Sequence, residues 1–247
     1  MINPLVSPQT VALDRDTHRM LKLKWPVQDW SMAASLNAVF VPAAEFADVC
    51  REYPIVFVRA GADAQGKPQI APVAVLGLAE KENLYLDGTR WRSGYMPALL
   101  RSYPFGIARI DEQRFAVALE RGWSGLSETE GQPLFTPEGQ PTELLQAIHK
   151  QLEQIEVEVQ RTRNFGARLQ ELDVLKEMRF DATLPDGNKV GVDGFLTVDE
   201  AKLAALPDAT VLDLHRSGVL GLIHAHWISL GVMRRLVQWR VERHAAA

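Results

Sequence analysis

The stretch Tyr53-Pro54-Ile55-Val56-Phe57-Val58-Arg59, followed by Gly61-Ala62-Asp63-Ala64-Gln65-Gly66-Lys67-Pro68 and an apolar run over 70–78, decides the fold class. β-Branched and aromatic residues fill the first and last segments, and glycines and a proline separate them, so the stretch predicts two strands joined by a hairpin loop. A short helix is expected before it, over 43–52. After it come strands at 84–86, 105–110 and 114–119, the last two joined across Asp111-Glu112-Gln113, with one or two helical turns at 95–102. Further on, Leu145, Ile148, Leu152, Ile155 and Val159 recur at three- and four-residue intervals. They predict a long amphipathic helix with Pro141 in its first turn, running to about Leu172, although Gly166 weakens the continuation. The class is α+β: a mostly antiparallel sheet, a long amphipathic helix and a C-terminal helical segment.

Outward from this frame, residues 1–40 mix prolines, charges, Trp25 and Trp30 without periodicity, and are expected to drape over the domain as an arm pinned by the tryptophans. Residues 122–141, rich in Gly, Pro, Ser, Thr and Glu, predict a long surface loop. A hairpin is expected from 178–184 to 189–192 around Pro185-Asp186-Gly187-Asn188, then a separate strand at 194–198. Two or three helices follow, the last over about 219–243. Residues 41–243 are expected to form one domain with two lobes, any boundary falling near 130–140, and 244–247 a frayed tail.

Composition narrows the functional classes. A chain of 247 residues with 47% hydrophobic and 23% charged content can build a full core without staples. Its net charge of -4 gives no basic field for nucleic acid or anionic lipid, so no nucleic-acid partner is expected. Cys50 is the only cysteine, which rules out an internal disulfide and a cysteine-based metal centre, and matches a reducing compartment. The N-terminus shows no secretory signal, and the longest apolar run, 71–79, is about half of the roughly 18–20 residues a membrane helix needs. A soluble, cytoplasmic protein without a membrane span is expected.

Strong catalytic signatures are absent: no Walker A loop, dinucleotide glycine fingerprint or zinc-protease helix pair occurs, and Gly122-Trp123-Ser124-Gly125 lacks the second glycine of a nucleophile elbow. His224 and His226 project about 200° apart on a helix and cannot easily face one metal, and His226 shares a stripe with Leu222, Leu230 and Met233. No cofactor is expected. An acid–base or metal-assisted site would have to be assembled from Asp199, Glu200, His215 and His226, the two histidines serving as metal ligands. Against this, Asp199 suits a helix cap and His215 a helix C-terminus. Tyr95, Arg101 and Tyr103 are candidates for a sugar- or anion-binding surface, and Glu128 with Glu130 for a cation or acid–base pair. The basic C-terminal run around Arg234, Arg235, Trp239, Arg240 and Arg243 suits a partner surface, or mutual docking into a homodimer.

Ordered motifs carry a further resemblance. They include Tyr53-Pro54-Ile55-Val56-Phe57, Pro72-Val73-Ala74-Val75-Leu76-Gly77-Leu78, Glu82-Asn83-Leu84-Tyr85-Leu86 and Gly94-Tyr95-Met96-Pro97. In the second half come Val192-Asp193-Gly194-Phe195, Leu214-His215-Arg216-Ser217-Gly218 and Ala225-His226-Trp227-Ile228-Ser229-Leu230-Gly231. Over roughly 39–237 the chain resembles the SapC family of bacterial proteins. The resemblance implies a protein named for a surface-array locus, whose relatives occur near TonB-dependent receptors, cupin-like oxygenases and flavin-dependent tryptophan halogenases. It also implies an accessory or binding protein that acts with a protein partner in a surface or nutrient-uptake system, with no established catalytic residues. The alternative is an enzyme using Asp199, Glu200, His215 and His226. The unrelated peptide-transport permease of the same name would need membrane spans that this sequence lacks.

Overall fold

A computed structural model of the chain describes residues 5–62, 66–109, 115–183, 187 and 189–245. The N-terminal segment contributes three short strands, β1 (Thr10–Ala12), β2 (Lys22–Leu23) and β3 (Ala38–Phe40). A 3-10 turn leads into the single helical turn α1 (Phe46–Val49), and then come the two strands of the deciding hairpin, β4 (Ile55–Ala62) and β5 (Pro68–Val75). Next are β6 (Leu86–Asp87), β7 (Arg90–Trp91), α2 (Ala98–Arg101), β8 (Phe105–Arg109) and β9 (Phe115–Glu120). Of the expected strand at 84–86 only Leu86 is in a strand. Leu84 and Tyr85 instead lie in a turn, from which Leu84 donates its N–H to Leu76 O at 2.8 Å.

The region read as a surface loop, 122–141, is anchored instead. It contains β10 (Leu126–Ser127) and β11 (Gln132–Pro133), which pair with β2 from either side. Trp123, Leu134 and Phe135 are buried there. The long helix α3 (Glu143–Glu171) is unbroken, and its N-cap is Thr142, whose hydroxyl accepts from Leu145 N–H. Pro141 therefore precedes the cap and is not in the first turn. β12 (Leu175–Thr183) and β13 (Lys189–Val198) form an antiparallel hairpin. The two strands expected at 189–192 and 194–198 are one, because a bulge at Gly194, with φ of 78°, lets the strand continue after an extra residue. The connection read at 111–113 lies outside the described residues, as do Leu184, Pro185, Asp186 and Asn188 of the second hairpin.

Four helices close the described chain: α4 (Glu200–Ala204), α5 (Asp208–Arg216), α6 (Val219–Leu230) and α7 (Met233–Ala245). The single helix expected over 219–243 is two. Gly231 N–H bonds to Ile228 O and Val232 N–H to Ser229 O, a tightened i→i−3 turn that ends α6 and re-aims the chain.

The main sheet has the order β12-β13-β4-β5-β3, and its paired neighbours run antiparallel. A second sheet, β1-β9-β8, ties the N-terminal segment to the β8–β9 hairpin. α3 packs on β5, and its Phe165 ring meets Phe46 and Phe57 at 5.8 and 5.9 Å. With α3 on the sheet and paired strands in antiparallel ladders, the chain is α+β. No helix among the described residues is long and apolar enough to cross a membrane.

Candidate functional site

β13 and β4 pair at Leu196 and Phe57, but the next opposed pair, Val198 and Ile55, does not bond directly. Three side chains of α6 stand in for the missing ladder. His226 is fully buried; its Nε2 accepts from Val198 N–H at 3.2 Å, which places the proton on Nδ1 for donation to Ile55 O at 2.7 Å. Ser229 Oγ accepts from Ile55 N–H at 2.8 Å and donates to His226 O at 2.6 Å. Trp227 Nε1–H donates to Val198 O at 2.9 Å. The polar residues of Ala225-His226-Trp227-Ile228-Ser229 thus satisfy backbone groups that would otherwise be buried unpaired.

Burial holds the imidazole of His226 neutral, lowering its pKa to about 4, while the bond to Ile55 O opposes the shift. The folded pKa lies below the ordinary 6.5, so the unfolded chain binds the proton more readily, and the stabilising effect is complete above pH 6.5 and declines toward pH 4. The stability advantage of wild type over a His226→Ala variant is expected to shrink by about 3 kcal/mol between pH 7.5 and pH 4.5, measured by denaturant unfolding at each pH.

The other three members of the expected acid–base site lie elsewhere. Asp199 is the N-cap of α4, its Oδ1 accepting from Ala201 and Lys202 N–H at 2.8 and 3.1 Å and its Oδ2 3.2 Å from Lys176 Nζ. These bonds, the Lys202 N–H first, hold its carboxyl below the usual range. Glu200 is exposed in the first turn of α4, and His215 is exposed in the last turn of α5. No group of three or more His, Cys, Asp or Glu that could hold a metal ion occurs among the described residues. Asp199→Ala is expected to lower the unfolding temperature by a few degrees through loss of the cap, and Glu200→Ala to leave it unchanged, by calorimetry.

Tyr95 and Arg101 do meet, through a residue the sequence reading missed. Glu45 is buried; it accepts from Ala98 N–H at 3.0 Å and from the Tyr95 hydroxyl, and its Oε1 lies 3.4 Å from Arg101 Nη2. The Arg101 guanidinium also sits 5.3 Å from the Tyr95 ring centroid. Burial, then the bond to Glu45, raises the Tyr95 pKa. Tyr103 is held apart, between the Trp30 and Trp123 rings at 6.3 and 6.1 Å, and burial pushes its hydroxyl up to about 12. Glu128 is exposed, and Glu130 bonds Lys24 Nζ at 2.8 Å, a contact that lowers its pKa and fastens β2 beside β11. The only sequence signal for Glu45 was an acid amid the apolar residues of 41–50.

Several surfaces are open, including clefts of about 660 and 620 Å³ beside Arg92 and His149. Arg101, Trp25 and Gln151 line both of two adjoining clefts of about 530 and 160 Å³. On α6, the residues opposite the buried Ile223, His226 and Ser229 are Gly221, His224, Ile228 and Gly231, an exposed stripe at helical spacing. No Asp, Glu, Lys or Arg occurs from Ser217 to Met233. Ile228, at 68%, is the most exposed large hydrophobic among the described residues, and Leu212 on the adjacent α5 is 46% exposed.

The fold and these sites define an α+β protein in which the conspicuous polar motif of α6 completes the sheet. The chain belongs to the SapC family, whose pattern matches residues 13–236, reaching further toward the N-terminus than the motifs quoted above. No curated protein and no solved structure matches it.

Proposed function

We propose that this SapC-family chain is a cytoplasmic accessory protein that binds a protein partner in a bacterial surface or nutrient-uptake system, and that the partner seats on the exposed stripe of α6. The observation that carries this is the uncharged run from Ser217 to Met233, with Ile228 and Leu212 left in water. A surface helix normally carries charges on its outer face; α6 carries none, and a partner seated there would cover Ile228 and Leu212. The glycines at either end of the stripe leave room beside Ile228 for a partner's side chains; a Cβ on Gly221 would meet no atom within 4 Å. The enzyme alternative needs Asp199, Glu200, His215 and His226 in one cleft, whereas His226 is sealed in the core and His215 and Glu200 face solvent.

The test is cross-linked affinity capture in a bacterium that encodes the protein, comparing wild type with an Ile228→Glu/Leu212→Glu variant shown by circular dichroism to be folded. Capture of a defined partner by wild type and its loss in the variant is the expected result. Equal capture by both, or capture of another copy of the chain alone, would sink the reading.

A further inference from the structure

The adjoining clefts around Arg101 point to a second binding activity, independent of the α6 stripe. The larger is walled by Trp25, Pro26, Val27, Trp30 and Met96, and the smaller continues over α3 at Leu144 and Ile148. Their combined lining is apolar and aromatic apart from Arg101 and Gln151, shared by both, and Ser102 in the smaller, whose hydroxyl is already given to Leu99 O. That is the make-up of a small-molecule site: broad apolar walls and a few placed donors.

Charge decides which ligand fits. Arg101 alone would favour an anion, but the carboxylate of Glu45 lies 3.4 Å from its guanidinium, and the Glu45 side chain is only 10% exposed. Bound also to Tyr95 and to Ala98 N–H, that carboxylate is fixed in place. The pair is therefore close to neutral as seen from the cleft, and an entering anion would meet the buried negative charge behind the positive one. Arg101 still offers N–H donors, since its side chain is 49% exposed. Gln151 is exposed on α3 and its side chain makes no hydrogen bond to a described residue, so its amide is available as donor and acceptor. Trp25, 39% exposed, is braced edge-on by Trp123 at 6.4 Å and so keeps its position without being covered.

A neutral ring with apolar C–H faces and hydroxyls on its rim matches indole walls flanked by a neutralised guanidinium and a free amide. We infer that the cleft between Trp25, Trp30 and Arg101 binds a neutral saccharide. Glu45 acts as a positioning residue that sets both the place of Arg101 and the charge of the site.

The test applies the full chain to an array of neutral and acidic oligosaccharides and follows bound members by calorimetric titration. Binding confined to neutral members is expected, weakened about tenfold or more in Trp25→Ala and in Gln151→Ala. Gln151→Ala changes an exposed residue of α3 whose side chain bonds no described residue, and circular dichroism of the variant separates lost binding from lost fold. Absence of any neutral ligand, preference for the acidic members, or unchanged binding in Gln151→Ala would overturn the inference.

Discussion

His226→Ala is expected to destabilise the protein by about 4 kcal/mol, lowering the unfolding temperature by about 12 °C, whereas His215→Ala changes stability by less than about 0.5 kcal/mol. The large effect has two sources. Removing the imidazole leaves Val198 N–H unpaired in the interior and Ile55 O with only the long 3.5 Å contact from Ser229 Oγ, an unpaired group costing about 1–3 kcal/mol. It also opens a void beside Phe57, whose ring centroid lies 4.9 Å from that of His226. His215 is exposed at the end of α5 and leaves nothing unpaired. The pair of variants, followed by calorimetry with elemental analysis of each purified protein, separates a framework histidine from a metal ligand. A folded His226→Ala protein of wild-type stability, lacking a metal that wild type holds, would be the opposite outcome.

Gly166→Ala carries the second large effect, and its sign runs against helix propensity. In the middle of a helix, alanine for glycine ordinarily stabilises by about 1 kcal/mol. At Gly166, however, an added Cβ would lie 2.1 Å from Ile70 O, a backbone atom of β5 that cannot swing aside. α3 would have to lift from the sheet, disturbing the contacts of the neighbouring Phe165 with Phe46 and Phe57. The expected cost is about 3 kcal/mol. Gly221→Ala in α6 is the control: open space surrounds it, and a gain of about 0.5–1 kcal/mol is expected from the same chemical change. Denaturant unfolding of both variants checks the contrast; a stabilised Gly166→Ala would show that α3 is not seated on β5 as described.

Gly166 also shows what the sequence could and could not disclose. Periodicity located α3 correctly from Leu145 to Val159, yet the glycine read as a weakness when it is the point of closest approach to the sheet. Strands with dense β-branched content, β4 and β5, and the β8–β9 pair were legible because their signal is local. β2 was not, since two residues, Lys22 and Leu23, carry no period and become strand only by pairing with β10 and β11 about a hundred residues away. The end of α6 was hidden because apolar residues continue on both sides of Gly231, so no change of pattern marks the turn.

The candidate site followed the same rule. The cap at Asp199 and the burial of His226 could be read from the neighbouring residues. Which backbone groups His226, Trp227 and Ser229 would satisfy could not, because Ile55 and Val198 are brought to them by the fold. The Tyr95–Arg101 pairing was anticipated as a surface, but its organising carboxylate, Glu45, lies about fifty residues upstream and is recognised only by its three partners. The α6 stripe emerges once burial assigns one face of the helix to the sheet and leaves Gly221, His224, Ile228 and Gly231 on the other.

Hydrogen exchange followed by mass spectrometry, on the chain alone and bound to the partner captured through it, tests the central claim most directly. Bound protein should show slowed exchange across 208–233, the span of α5 and α6. Slowed exchange elsewhere, with 208–233 unchanged, would contradict the proposed docking face.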